Sequence, residues 1–260
     1  MFLEELLVAL IVTIFLLVVA EVGYRLGRAS SGAGDKARRD QIGAITPFML
    51  GLLSLLLGFS FSMAVERYNV RRDLVVKEAN AIGTTWLRAG LLPEPRRREV
   101  KRLLQRFVDV RLRTYAAADD SIQVAEGLRL CGEIESQVWR HAEDSAKDAP
   151  NVITVAFITT LNHLIDTDAE RIAAARNQVP AGVWMILVVV SAVGCWTSAY
   201  AAGCAQVRSA FTSVLLPLII SMVMLLIFDL THERRGTIGI SQQPLIDLQG
   251  LFRSERLSLD

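Results

Sequence analysis

The chain has 260 residues, 52% of them hydrophobic, and its mean hydropathy is +0.37. A soluble chain is about 45–50% apolar, so this composition argues against an entirely soluble protein. The formal net charge of +1 says little about partners, and we expect no nucleic-acid partner.

The apolar residues are concentrated in four stretches. A helix needs about 20 mainly apolar residues to cross a bilayer, and all four stretches are long enough, the first least comfortably. The sequence therefore predicts four transmembrane helices. The stretches are 6–20, 41–65, 177–207 and 209–228.

The first stretch has two interpretations, a signal peptide or a retained helix. A signal peptide carries basic residues before its apolar core, but Glu4 and Glu5 stand there. No small-residue cleavage site follows, because the chain continues with Glu21-Val22-Gly23-Tyr24. We therefore expect a retained transmembrane helix.

Between the second and third spans the chain is polar and shows no β-alternation. Prolines at positions 93, 95 and 150 divide this region into helices, predicted over 66–91, 96–117, 120–147 and 151–177. The sequence thus predicts an all-α membrane protein with a helical bundle between spans two and three. The predicted domains are 1–65 (spans one and two), 66–180 (helical domain), 181–230 (spans three and four) and 231–260 (tail).

Loop charge leaves the orientation open. Spans alternate in direction, so the linker 23–40 and the turn 205–208 share one side, and residues 66–180 lie on the other with both termini. Basic residues near the membrane are almost equally numerous on the two sides, so the positive-inside rule does not decide between them.

No catalytic signature stands out. His163 and Asp166 are three residues apart, as are His141 and Asp144, which could mark a polar network or a weak cation site. A hydrogen-bonded helix-packing patch is the better interpretation of both pairs. We predict that the chain is not an enzyme and has no metal site or cofactor.

One face of the second span could line a pore. Gly51, Leu55 and Phe59 recur every four residues and so lie near one face of a helix. Packed around a symmetry axis, that face would form a dry constriction. Small residues and serines also serve helix packing, and from spacing alone a packing stripe is the better interpretation.

A resemblance bears on that choice. The segment Leu56-Leu57-Gly58-Phe59, followed eight residues after the phenylalanine by Arg67-Tyr68, resembles the second transmembrane helix of the bestrophin channels, which has a Leu-Gly-Phe turn and then Arg-Trp-Trp. Residues 72–83 and 241–245 are similar to a family of bacterial bestrophin-like membrane proteins, and that similarity covers most of the chain.

The resemblance implies a function. Bestrophins are pentameric channels for anions, or for cations in some bacterial members. This implies a homo-oligomer in the bacterial inner membrane that passes small anions such as chloride through a pore lined by span two, with residues 66–180 in the cytoplasm. The expected partners are the lipid bilayer, other copies of the chain and small inorganic ions. The implied pore neck is Gly51, Leu55 and Phe59, and the implied vestibule charge is Arg67, Arg71 and Arg72.

The chain also departs from the bestrophin pattern. Tyr68-Asn69 stands where bestrophins have Trp-Trp, and Gly51 stands where they have a large apolar neck residue, which predicts a shorter or wider constriction. Span four ends at Asp229 without the acidic cluster of the calcium clasp, so calcium gating is not expected. The alternative function is a non-conducting membrane interaction protein whose helical domain binds partners.

Overall fold

The computed structural model describes residues 2–30, 36–117, 120–177, 179–208, 211–231 and 238–257, and these contain no β-strand. The predicted all-α class is confirmed. The helices are α1 (Phe2–Ala29), α2 (Lys36–Ala89), α3 (Arg96–Ala116), α4 (Ser121–Asp148), α5 (Val152–Arg176), α6 (Ala181–Cys204), α7 (Leu216–Thr231, after a π-helical turn at Phe211–Leu215) and α8 (Gln243–Leu257).

Four helical stretches are long and apolar enough to cross a membrane. This confirms the four predicted spans and makes the chain a multi-pass membrane protein. They lie within Leu7–Ala29, Gln41–Ala89, Val152–Cys204 and Ser213–Thr231, and the third of these ranges includes both α5 and α6.

Side-chain caps fix where two helices of the polar region begin. The Asp120 carboxylate accepts from the backbone N–H groups of Ile122 and Gln123, and the Asn151 side chain accepts from the N–H of Thr154. Such caps satisfy donors that have no partner in the first turn of a helix. They place the starts of α4 and α5 within a residue of the predicted positions.

The described chain divides into two compact units. The membrane unit holds residues up to 67, residues 179–231 and Ile238. The bundle unit holds residues 68–177 and 239–257, and α8 of the tail packs with α2 and α3 in it.

In the membrane unit, α1 and α6 pack closely at glycines. A Cβ at Gly27 would overlap the backbone oxygen of Tyr200, and a Cβ at Gly203 would overlap that of Tyr24. Each glycine thus admits the backbone of the other helix, which is how small residues bring membrane helices together.

In the bundle unit, an apolar core is closed by α8. Phe107 of α3 and Phe157 of α5 are fully buried in this core. The Trp86 and Phe252 rings stack with centroids 3.8 Å apart, which fixes α8 against the end of α2. The Tyr115 hydroxyl donates to the backbone oxygen of Ile240 at 2.7 Å and holds the segment before α8.

Candidate functional site: the second helix and a buried charge network

One face of α2 packs inside the membrane unit. Its residues Leu53, Ser60 and Ala64 are buried, and Leu57 between them is half-buried. The Leu53 side chain belongs to the core of the unit and lies near Gly194 of α6. The spacing of four, three and four residues is that of one helical face.

A second apolar face of α2 is open. Phe48 is 83% exposed, Leu55 54% and Phe59 64%. Leu55 and Phe59 each follow a residue of the packed face by two positions, a rotation of about 200°. A Cβ at Gly51 would have no neighbour within 4 Å. The three residues predicted to form the neck therefore lie together on a face that the protomer does not cover.

Two further residues lie on this open face, and sequence reasoning missed both. Phe48 precedes Leu55 by seven residues and Glu66 follows Phe59 by seven. Seven residues turn a helix to within about 20° of the starting direction. Glu66 is exposed. A search at heptad spacing, rather than at four-residue spacing, would have found both.

The three arginines predicted to supply vestibule charge occupy different environments. Arg67 is rotated by about 80° from Phe59, is half-buried, and its Nη2 lies 3.6 Å from Met63 Sδ. Arg71 is only 3% exposed, so it offers little charge to solvent. Arg72 is exposed and pairs with Asp73 at 3.4 Å. Of the three, Arg72 is the most exposed.

The bundle unit contains a buried network of charges from three helices. Arg111 of α3 pairs with Glu78 of α2 at 2.9 Å and with Asp168 of α5. Arg171 of α5 pairs with the other oxygen of Glu78 and donates to Gln242 Oε1 at 2.7 Å. All five residues are buried. Two guanidinium groups thus balance two carboxylates, and the network connects α2, α3, α5 and the segment before α8.

Sequence reasoning missed this network as well, although two signals pointed to it. Glu78 and Gln242 fall in the two segments, 72–83 and 241–245, that carry the family resemblance. Arg111 follows the buried Phe107 and Leu104 by four and seven residues, so it continues the apolar stripe of α3. A charge at a core position of a helix indicates a buried partner.

Two titratable groups of α4 lie beside the network. Burial raises the pKa of Glu135 to about 7, with Glu78 adding to the rise and Arg111 opposing it. In the part of the chain described, Glu135 Oε1 is buried without a hydrogen-bond partner. Burial also raises the pKa of the Cys131 thiol, which keeps it protonated and unreactive.

The histidine pairs give no metal site. His163 and Asp166 are both exposed on α5, and Asp144 on α4 is exposed beside a half-buried His141. Across the six described ranges, no cluster of three or more His, Cys, Asp or Glu side chains could hold a metal ion.

A family model described as "Bestrophin-like domain" matches residues 8–245 of this chain. None of the curated proteins compared with the chain matches it.

Solved structures share the fold over nearly the whole chain. A crystal structure of a bacterial bestrophin homolog from Klebsiella pneumoniae, carrying a leucine-to-threonine substitution, is 16% identical, with 95% of this chain and 98% of that chain covered and a TM-score of 0.67. Another structure of that homolog is 15% identical, with 91% and 98% covered and a TM-score of 0.66. A membrane protein with a proline-to-alanine substitution is 14% identical, with 93% and 98% covered and a TM-score of 0.67.

The buried network leads to a prediction about stability. Glu78→Gln removes the carboxylate that both arginines share and leaves a net positive charge in the bundle unit. Removing one partner from a buried ion pair costs about 3–5 kcal/mol, so we expect the free energy of unfolding to fall by that amount. Denaturant unfolding of the full chain in detergent, followed by tryptophan fluorescence, measures it.

The matched control for this variant is Glu126→Gln on α4. Glu126 forms an exposed pair with Arg129, and such pairs contribute about 0–1 kcal/mol. A Glu78→Gln loss no larger than that of the control would show that the network does not stabilise the bundle unit.

The raised pKa of Glu135 leads to a second prediction, on pH dependence. Between its usual pKa of 4.5 and about 7, Glu135 is protonated when folded and charged when unfolded. Folding therefore binds a proton. The contribution of Glu135 to stability is fully present below pH 4.5 and is lost as the pH rises through about 7. Glu135→Gln removes the buried charge and should stabilise the protein at pH 8 by about 1–3 kcal/mol, but not at pH 4.5.

Denaturant unfolding at the two pH values measures this difference. Glu126, whose pKa the Arg129 guanidinium lowers, gives the control, and its Gln variant should gain no stability at pH 8. Equal stability of Glu135→Gln and wild type at both pH values would contradict the prediction.

Proposed function

Since the chain belongs to the bestrophin-like family, we propose that it forms a homo-oligomeric ion channel, a pentamer in the bacterial inner membrane, with α2 lining the pore. The observation that carries this proposal is the open apolar face of α2, with Leu55 and Phe59 exposed.

The two faces of α2 support a pore better than a packing stripe. The packing that the protomer needs from α2 is met by Leu53 and its neighbours on the other face. The open face combines large apolar side chains with glycines at 51 and 58 that have open space around them. Copies related by cyclic symmetry would bring this face to the axis, where apolar rings control permeation by dewetting.

The geometry of α2 bears on which ion passes. Chloride is the ion implied by the resemblance and by the three arginines. Arg71 is buried, however, and Arg67 is half-buried beside Met63. Glu66 is the first charged residue that continues this face. Rings of glutamate favour cations in channels, so the geometry favours cations over the predicted anions.

The alternative is a non-conducting interaction protein, and one surface of the bundle unit fits either function. The bundle unit exposes Leu87, Leu91, Val152 and Val155, at 62–85% each. Arg88 donates to the backbone oxygen of Ala156 at 2.5 Å, so these side chains belong to neighbouring segments. Such exposed patches mark protein contacts. In a channel they would meet another copy, and in an interaction protein a different partner.

Flux through liposomes containing the purified full chain tests the channel. Leu55→Ala/Phe59→Ala should raise chloride or potassium flux, because smaller side chains lower the cost of a desolvated ion in the neck. Each 1.4 kcal/mol removed from the barrier raises flux about tenfold, and we expect at least that change.

Phe61→Ala is the matched control for the neck. Phe61 lies two residues beyond Phe59, rotated by about 200°, and is 38% exposed. Its truncation should leave flux unchanged. If Phe61→Ala and the double variant changed flux equally, the neck would not lie on this face. Absence of flux in every variant, from particles that are monomers or dimers in mild detergent, would favour the interaction protein.

The charge at the end of the face gives a separate prediction. If Glu66 lines the conduction path, Glu66→Gln should lower the potassium-to-chloride permeability ratio, by about tenfold if the local cation concentration depends on it. Reversal potentials under a potassium chloride gradient measure the ratio. Glu126→Gln, which removes an exposed acid on α4 that is paired with Arg129, is the control. An unchanged ratio in Glu66→Gln would place Glu66 outside the path.

A further inference from the structure

The membrane unit contains an apolar cavity between three of its helices. Its volume is about 250 Å³, and its accessible wall is almost entirely apolar. Residues from α1, α6 and α7 line it, among them Ala9, Val12, Trp184, Val188, Met224 and Phe228.

The cavity suits hydrocarbon rather than water. The Ser221 hydroxyl in the cavity wall donates to the backbone oxygen of Leu218 at 3.0 Å and lies 2.8 Å from Thr13 Oγ1. This hydroxyl therefore has hydrogen-bond partners within the protein. Apolar cavities of roughly 150 Å³ in other proteins stay dry and take up benzene or xenon. A dry space larger than that is expected to hold an apolar ligand.

The cavity has a defined depth in the bilayer. It lies at the start of α1, the start of α6 and the end of α7. Because consecutive spans alternate in direction, these three helix ends lie at the same side of the membrane. Trp184 stands in the first turn of α6, and tryptophan is enriched where a span meets the headgroups. The Trp184 end of the cavity is therefore near the headgroups, and its Ser221 end is deeper in the bilayer.

We propose that this cavity binds one acyl chain of a phospholipid from the leaflet on that side. Hydrocarbon chains are what surrounds these spans in the bilayer core. The volume is below the range of roughly 300–1,000 Å³ typical of sites for drug-sized molecules, which favours a slender ligand. The wall extends from Ser221 to Phe228, about two turns or roughly 10 Å of α7, the shape of a chain segment. The inference depends on the membrane location and not on ion conduction.

Retained lipid tests the site. The full chain is purified in mild detergent, washed with lipid-free detergent, and the phospholipid kept per chain is measured by native mass spectrometry. Ala9→Phe fills the cavity from α1 and should lower retention about tenfold, the equivalent of 1.4 kcal/mol in binding. Leu10→Phe adds a ring at the next position, which is 54% exposed, and should retain lipid as wild type does.

A second variant and a second readout make the result decisive. Val188→Phe fills the cavity from α6 and should also lower lipid retention about tenfold. It takes the place of Ala9→Phe in the test if Ala9→Phe does not fold. The difference in fluorescence between wild type and Trp184→Phe is the emission of Trp184. In liposomes, a phospholipid brominated along its acyl chain should quench this emission, and Ala9→Phe should reduce the quenching. Equal lipid retention and equal quenching in wild type and both filled variants would overturn the proposal. Unquenched Trp184 emission in wild type would also overturn it, because it would indicate that a helix of a neighbouring copy fills the cavity.

Discussion

The absence of water from the bilayer core is the constraint on which the membrane unit depends. Backbone groups there must be satisfied within their own helix, and polar side chains must find local partners. The Ser54 hydroxyl accordingly donates to the backbone oxygen of Leu50 at 2.9 Å, and that of Thr46 to Ile42 at 2.9 Å. Since burying apolar surface gives no advantage in lipid, α1 and α6 associate through close backbone approach at Gly27 and Gly203.

The bundle unit follows different physics, because its chain is rich in charge. Its apolar core includes residues of α3, α4, α5 and α8. Within that core, the buried ion pairs neutralise the charges of Glu78, Arg111, Asp168 and Arg171. An apolar replacement of such a set is often as stable. The charges instead favour one arrangement of the helices, because a shifted helix would leave a buried charge unpaired.

The sequence predicted the helices well because caps and prolines act locally. Asp120 and Asn151 cap α4 and α5 within a residue of the predicted starts. The four spans followed from apolar length alone. The buried network could not be predicted in the same way, since Glu78, Asp168 and Gln242 are brought together only by tertiary packing. Similarly, Arg71 and Arg72 are adjacent in sequence, yet one is 3% exposed and the other solvated.

The candidate pore depends on which residues share a face of α2, and proximity in sequence is a poor guide to that. Arg67 is closer than Glu66 to the other arginines along the chain, but Glu66 follows Phe59 by seven residues and continues the open face. That face is apolar from Phe48 to Phe59 and then ends in an exposed carboxylate. A helix that faces lipid is also apolar across the hydrocarbon core and charged where it leaves it. In an aqueous pore, the same order separates a dry barrier from a site that attracts ions to it.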